Sequence, residues 1–166
     1  ALLKNISRLS QTTNNITGHP KIARNKKQLL LFTRKNCASR YGVGTYIKQL
    51  ATSLNQSIWH VYIVELYASE TEYSWTKKDG IHYIHIPDTT TGKNNAEESY
   101  LKSVFYWIAS HYSDVKLYCH FNFTADKVLA ILLKEKMNAH IAFTLHYMDW
   151  KFYLNGKDER NLLRIL

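Results

Sequence analysis

The sequence predicts an α/β fold: a three-layer α/β/α arrangement built on a mostly parallel sheet of at least five strands. Short apolar or β-branched runs alternate with stretches of helical periodicity, the order that places crossover helices between parallel strands. The composition agrees: 45% hydrophobic, 21% charged and 13% aromatic residues, with six Gly and two Pro, suit a packed core and exclude disordered and collagen-like classes. At 166 residues the chain is expected to form one domain.

Leu29-Leu30-Leu31-Phe32 is an apolar run of the length of a buried strand. Gly42-Val43-Gly44 follows as a turn, and Tyr46, Ile47, Leu50, Ala51 and Leu54 then form the apolar stripe of a first helix. Residues 58–65, rich in β-branched and aromatic side chains, give a second strand. Residues 66–79 read as a long polar connection, and 81–86 as a third strand ended by Pro87. A second helix is expected from Asn95, a capable N-cap, with Glu97 and Glu98 in its favoured first turn and a stripe of Leu101, Val104, Phe105 and Ile108. Residues 117–121 form a fourth strand. Thr124 is expected to cap a third helix bearing Ala125, Val128, Leu129 and Leu132 and stopped at Asn138, and 141–145 form a fifth strand. The domain is assigned to residues 28–155, with 156–166 as the start of a truncated following helix.

Residues 1–27 are polar and basic and read as an extension or linker, punctuated by Gly18-His19-Pro20, with Leu2, Leu3, Ile6 and Leu9 at the spacing of a short amphipathic helix. The formal charge of +9 is unevenly placed. Residues 1–64 hold ten Lys or Arg and no acid, whereas 65–166 hold twelve basic and thirteen acidic side chains. Such a field attracts anions, whether nucleotide phosphates, RNA or an anionic membrane surface. The longest apolar run, residues 128–133, is far short of the roughly 20 residues that span a bilayer. No secretory pattern is visible, so Cys37 and Cys119 are expected as free thiols in the cytoplasm, and the four Asn-x-Ser/Thr sequons carry no weight. A basic face would allow peripheral contact with the inner membrane leaflet.

In open α/β sheets ligands bind beyond the C-terminal ends of the strands. Three segments fall there: Arg40-Tyr41-Gly42-Val43-Gly44-Thr45, then His120-Phe121-Asn122, then His146-Tyr147-Met148-Asp149-Trp150. Glycines in the first let backbone N–H groups approach a ligand, and a helix N-terminus after them favours an anion. His82 and His85 lack this setting and are read as structural.

Gly42-Val43-Gly44 opening a helix, Asp114-Val115 leading into His120, and Thr144-Leu145-His146 closing a strand together resemble the N-terminal domain of retaining glycosyltransferases of the glycogen-synthase-like group. Members of that group carry G-G-V-G, D-V-x-H-x-H and T-x-H-D in the same order. Tyr41 stands in place of the first glycine, Leu117 in place of the earlier His, and Tyr147 in place of the final Asp, for which Asp149 could substitute. The resemblance implies the acceptor-side, Rossmann-like half of a two-domain GT-B fold. It implies a hexosyltransferase that moves a sugar from a nucleotide-sugar to a glycan, lipid-linked or peptide acceptor. His146 and Asp149 would serve the reacting sugar. Arg40, Gly42, Val43, Gly44 and Thr45 would face the donor phosphates, and His120, Asn122, Tyr147 and Trp150 would line the substrate pocket. The group's donor-site glutamates belong to a second domain, so the chain by itself is expected to be inactive. No cofactor is implied, and no metal, because no DxD motif occurs. The alternatives are a basic nucleic-acid-binding module, which lacks any recognised nucleic-acid signature, and a stand-alone flavodoxin-like domain.

Overall fold

A computed structural model describes residues 18–35, 42–90 and 96–146. In chain order these form β1 (Lys27–Arg34), α1 (Val43–Ser53), β2 (Trp59–Ala68), β3 (Ser74–Lys78), β4 (Ile81–Pro87), α2 (Ala96–Tyr112), β5 (Leu117–Phe121), α3 (Lys127–Met137) and β6 (His140–Phe143). The six strands make one sheet ordered β3-β4-β2-β1-β5-β6. Every neighbouring pair is parallel except β3 with β4. The fold is therefore α/β with a mostly parallel sheet, as the alternation of runs predicts.

Side chains alternate across the sheet, so β1 feeds two hydrophobic clusters. Leu31 joins Val61, Ile63 and Ile81 against Val43, Ile47 and Ala51 of α1. Leu30 and Phe32 join Tyr62, Val64 and Ile84 in a larger cluster with Leu101, Val104 and Ile108 of α2 and Leu129 and Leu133 of α3. Helix α1 begins at Val43 behind Gly42, whose φ of 70° lies in the left-handed region that favours glycine. Asn138, at φ 51°, closes α3 with its N–H on the Leu133 carbonyl.

Three expectations need correction. The polar connection expected over 66–79 contains the last residues of β2 and the whole of β3. Strand β3 runs antiparallel to β4 through a two-residue turn, Asp79 and Gly80, both at positive φ. Asp-Gly is the strongest short hairpin signal in a sequence; the flanking Thr76, Lys77 and Lys78 hide it because an edge strand can leave such side chains in solvent. Thr124 does not cap α3: Thr124–Asp126 form a separate 3-10 turn, and the α-helix starts at Lys127. Finally β6 ends at Phe143, which leaves Thr144, Leu145 and His146 beyond the ladder. Asn95, the expected cap of α2, lies outside the described residues.

Residues 18–26 pack along the N-terminal edge of the sheet. Gln28, fully buried, donates to the Ala23 and Lys26 carbonyls at 2.7 Å each and accepts from the Tyr62 hydroxyl at 3.1 Å. Trp75 donates its indole N–H to the Gly18 carbonyl at 2.6 Å. His19 stacks on His111 and meets Trp107 and Tyr112 of α2.

Candidate functional site

Chain connections leave β1 toward β2 and β4 on one side and resume at β5 and β6 on the other, so strand order reverses between β1 and β5. A crevice opens at such a reversal, outside the C-terminal strand ends. Asn122, directly after β5, sits there with 4% of its surface exposed and donates its amide N–H to the Phe32 carbonyl of β1 at 2.9 Å. Its Oδ1 is 2.8 Å from Nε2 of His146. An amide oxygen only accepts, so His146 carries its proton on Nε2 and keeps a lone pair on Nδ1. Burial lowers the His146 pKa from its ordinary value, which favours this neutral form.

A second chain of contacts stands beside the first. His120 Nε2 lies 2.7 Å from the Thr144 hydroxyl, which lies 3.2 Å from the Tyr46 hydroxyl of α1. Among the described residues His120 Nδ1 is buried without a partner. A bare acceptor is less costly to bury than a bare donor, so the His120 proton belongs on Nε2, donated to Thr144. Burial lowers the His120 pKa, and neighbouring His146 lowers it further. Tyr46 meets the edge of His146 at 5.0 Å between ring centroids and faces His120 at 6.1 Å. One tyrosine on the first turn of α1 thus braces both histidines.

Gly42, Gly44 and Thr45 lie at the start of α1. Among the described residues nothing lies within 4 Å of the position a Cβ would take at Gly42. The helix end has no side-chain cap and no acid in its first turn. Val43 is wholly buried in the core under α1, so only its backbone could serve a ligand. Arg40, Tyr147, Asp149 and Trp150 lie outside the described residues. Of the sequence-predicted residues, the structure therefore joins His120, Asn122 and His146 around Tyr46 and Thr144, with the Gly42 turn on the same helix.

Two polar groups at this edge have no local sequence signal. Arg34, ending β1, donates to Asp126 Oδ1 from Nε at 2.9 Å and Nη2 at 2.7 Å, and to Glu97 at 2.9 Å. Asp126 is fully buried and its Oδ2 has no partner among the described residues. Burial raises the Asp126 pKa against the pull of Arg34. Burial lowers that of Arg34, but the Asp126 carboxylate outweighs it and holds the guanidinium charged. Tyr67, at φ 55°, stacks on this guanidinium and donates to Glu97. On the opposite face of the sheet His85 lies 2.9 Å from Glu65 and 3.7 Å from Glu70. Among the described residues only these three bring metal-capable ligand atoms within 4.8 Å of one another. Their spacing of 5 and 15 residues carries no motif, and a hydrogen-bonded His–Glu pair accounts for the geometry without a metal.

No protein-family model matches this chain, and a search of curated proteins finds no significant match. Among the described residues no helix is long and apolar enough to cross a membrane.

Proposed function

We propose that the chain is the Rossmann-like, acceptor-side half of a GT-B retaining glycosyltransferase, with its substrate cleft at the C-terminal edge of the sheet. The observation that carries this reading is the His146–Asn122–Phe32 relay at the point where strand order reverses. The two core clusters on opposite faces of β1 support a three-layer α/β/α architecture.

In this proposal His146 meets the transferred sugar through Nδ1, the atom its bond to Asn122 leaves free to accept from a hydroxyl. The amides at the start of α1 face the departing diphosphate, where an uncapped helix end and a glycine without a Cβ allow close approach. Catalysis then rests on positioning and on stabilising the leaving group rather than on a protein nucleophile. Neutral His120, held through Thr144, keeps the pocket free of a cation that would oppose an oxocarbenium-like centre. Most contacts to the nucleotide belong to a second domain, and basic residues 1–27 would favour a lipid-linked acceptor at an anionic membrane surface.

The test uses the longer protein carrying a second α/β half. Incubated with UDP- and GDP-hexoses and a glycan or lipid-linked acceptor, it should release nucleoside diphosphate and extend the acceptor with retained anomeric configuration. A folded two-domain protein that releases none across that panel contradicts the proposal.

A further inference from the structure

The opposite edge of the sheet, where the parallel strands begin, gathers lysines that the proposed transferase does not use. Lys77 stands near the end of β3, Lys21 and Lys26 in the segment packed along the edge, Lys27 at the start of β1, and Lys116 just before β5. All are exposed except Lys26, which is half-buried with its ammonium 2.6 Å from the Gln56 carbonyl. None makes an ion pair among the described residues. Of the acids at this edge, Asp114 is paired with Arg24 at 3.2 Å, and Asp79 occupies the hairpin turn. A positive strip therefore lies across the strand starts, and such a field collects phosphates.

Aromatic rings alternate with these cations. Lys27 pairs in register with Trp59; Leu29, on the same side of β1, pairs with Tyr118, which pairs in turn with His140. The three rings thus stand on one face of the sheet, the face that carries α1. Helix α1 covers β1, β2 and β4 there through Leu31, Val61, Ile63 and Ile81, and α2 and α3 pack on the other face. Among the described residues no helix lies over the starts of β5 and β6, where His140 and Ala142 are exposed and Tyr118 is half-buried. Trp59 and Tyr118 meet edge to face with centroids 5.1 Å apart, and Tyr118 stacks on His140 at 4.7 Å and 11°. The Lys27 ammonium lies 5.2 Å from the Trp59 centroid and 5.8 Å from that of Tyr118, and the Lys116 ammonium 5.8 Å from Tyr118. β6 is the edge strand, so the face of His140 turned away from Tyr118 has no neighbouring strand beside it.

We propose that this strip binds single-stranded nucleic acid. One unpaired base stacks on the open face of His140 and extends the Tyr118–His140 row. The backbone then crosses the strand starts, past Lys116 and Lys27 towards Lys26, Lys21 and Lys77. Ammonium groups held over rings stay available to phosphates, because an exposed cation–π contact is weak. From β3 to β5 the strip crosses four strand spacings of about 4.8 Å, room for the backbone of several nucleotides. A duplex offers phosphates but encloses its bases, so it forgoes the rings. A bilayer fits less well: of the large hydrophobic side chains exposed among the described residues, Ile58 alone lies at this edge, too little apolar surface for an anchor in lipid.

Fluorescence anisotropy of the 166-residue chain with labelled oligouridylate and oligothymidylate of about 12 nucleotides tests this. At least one should bind saturably with Kd of about 10 μM or below in about 50 mM salt, and weaken as salt rises. A duplex of the same length should bind at least about tenfold more weakly. Lys27→Ala/Lys116→Ala should lose about tenfold in affinity and flatten the salt dependence. His140→Ala should lose about fivefold with the salt dependence unchanged, since it removes a ring and no phosphate contact. Both variants should keep the wild-type circular dichroism spectrum. His146→Ala should bind as the wild type does, which separates the strip from the proposed transferase cleft. No saturation up to about 100 μM at that salt, wild-type affinity in the lysine or the His140 variant, equal binding of the duplex, or loss of binding in His146→Ala would each overturn the proposal. Retention on anionic vesicles that is lost in Lys27→Ala/Lys116→Ala, without oligonucleotide binding, would assign the strip to a membrane and overturn it as well.

Discussion

The two edges of the sheet use the same residue type to opposite ends. Where the strands finish, His120 and His146 are tied to a hydroxyl and an amide, and Arg34 pairs with a fully buried Asp126 carboxylate. Where the strands begin, half-buried His60 and buried His82 stand near Lys21, Lys26 and Lys77, none of which makes an ion pair among the described residues. The finishing edge is built to hold a geometry; the beginning edge gathers positive charge with no carboxylate among the residues that line its cavity. Fixed dipoles suit the orientation of a neutral sugar, and surplus cation suits the capture of an anion.

Breaking the finishing edge should have the largest effect on stability. Arg34→Met leaves fully buried Asp126 without its partner and should destabilise the fold by about 3 kcal/mol or more, measured by urea denaturation. The loss should shrink at acidic pH, where Asp126 can take up a proton. A change under about 0.5 kcal/mol would show that the pair does not secure β1 to the turn before α3.

Acid should act next, and mainly on the beginning edge. His19, His60 and His82 have pKa values lowered from 6.5 to about 4, chiefly by burial. Between those values the unfolded chain binds more protons than the folded one, so stability should fall as pH drops from about 6.5 towards 4 and level off below. His85 opposes this: its hydrogen bond to Glu65 raises its pKa, so its contribution is present in acid and disappears as pH rises through the raised value. Urea midpoints followed from pH 7 to 4.5 should decrease in the wild type, less steeply in His82→Gln and more steeply in Glu65→Gln. A flat profile in the wild type would contradict the placement of these histidines.

A smaller effect is expected at the Gly42 turn. No atom obstructs a Cβ there, so Gly42→Ala meets only the left-handed backbone and should cost about 1 kcal/mol of stability. A neutral result would mean that the turn relaxes. Lys77→Met, on the exposed face of the hairpin, should change stability by less than about 0.5 kcal/mol.

Most elements were legible in the sequence because core-facing residues such as Leu30, Phe32, Ile47 and Leu101 repeat with the period of their element. Strand β3 was obscured because only Trp75 of its five residues is buried, although the Asp79-Gly80 turn marks the hairpin. His120 and His146 could be placed at strand ends from spacing alone. The contacts that tie this edge to β1 could not: Asn122 reaches Phe32 across 90 residues, and Arg34 reaches Asp126 across 92. His82, expected as structural, is buried among His60, Tyr62 and Trp75. The cavity beside it carries no sequence signal, because its wall includes residues 19–26, distant in sequence from the hairpin.

The most direct test of the division between the edges is one turnover assay on three forms of the proposed two-domain transferase, measuring nucleoside diphosphate released from a nucleotide-sugar. His146→Ala should lower kcat by about 10²–10³-fold, the effect of removing one contact made to the transition state. Lys21→Ala/Lys77→Ala should stay within about threefold of wild type, since those lysines lie at the far edge of the sheet and touch nothing in the cleft. The reverse pattern, with His146→Ala near wild type and the lysine variant impaired by orders of magnitude, would contradict the placement of the proposed transferase cleft at the finishing edge.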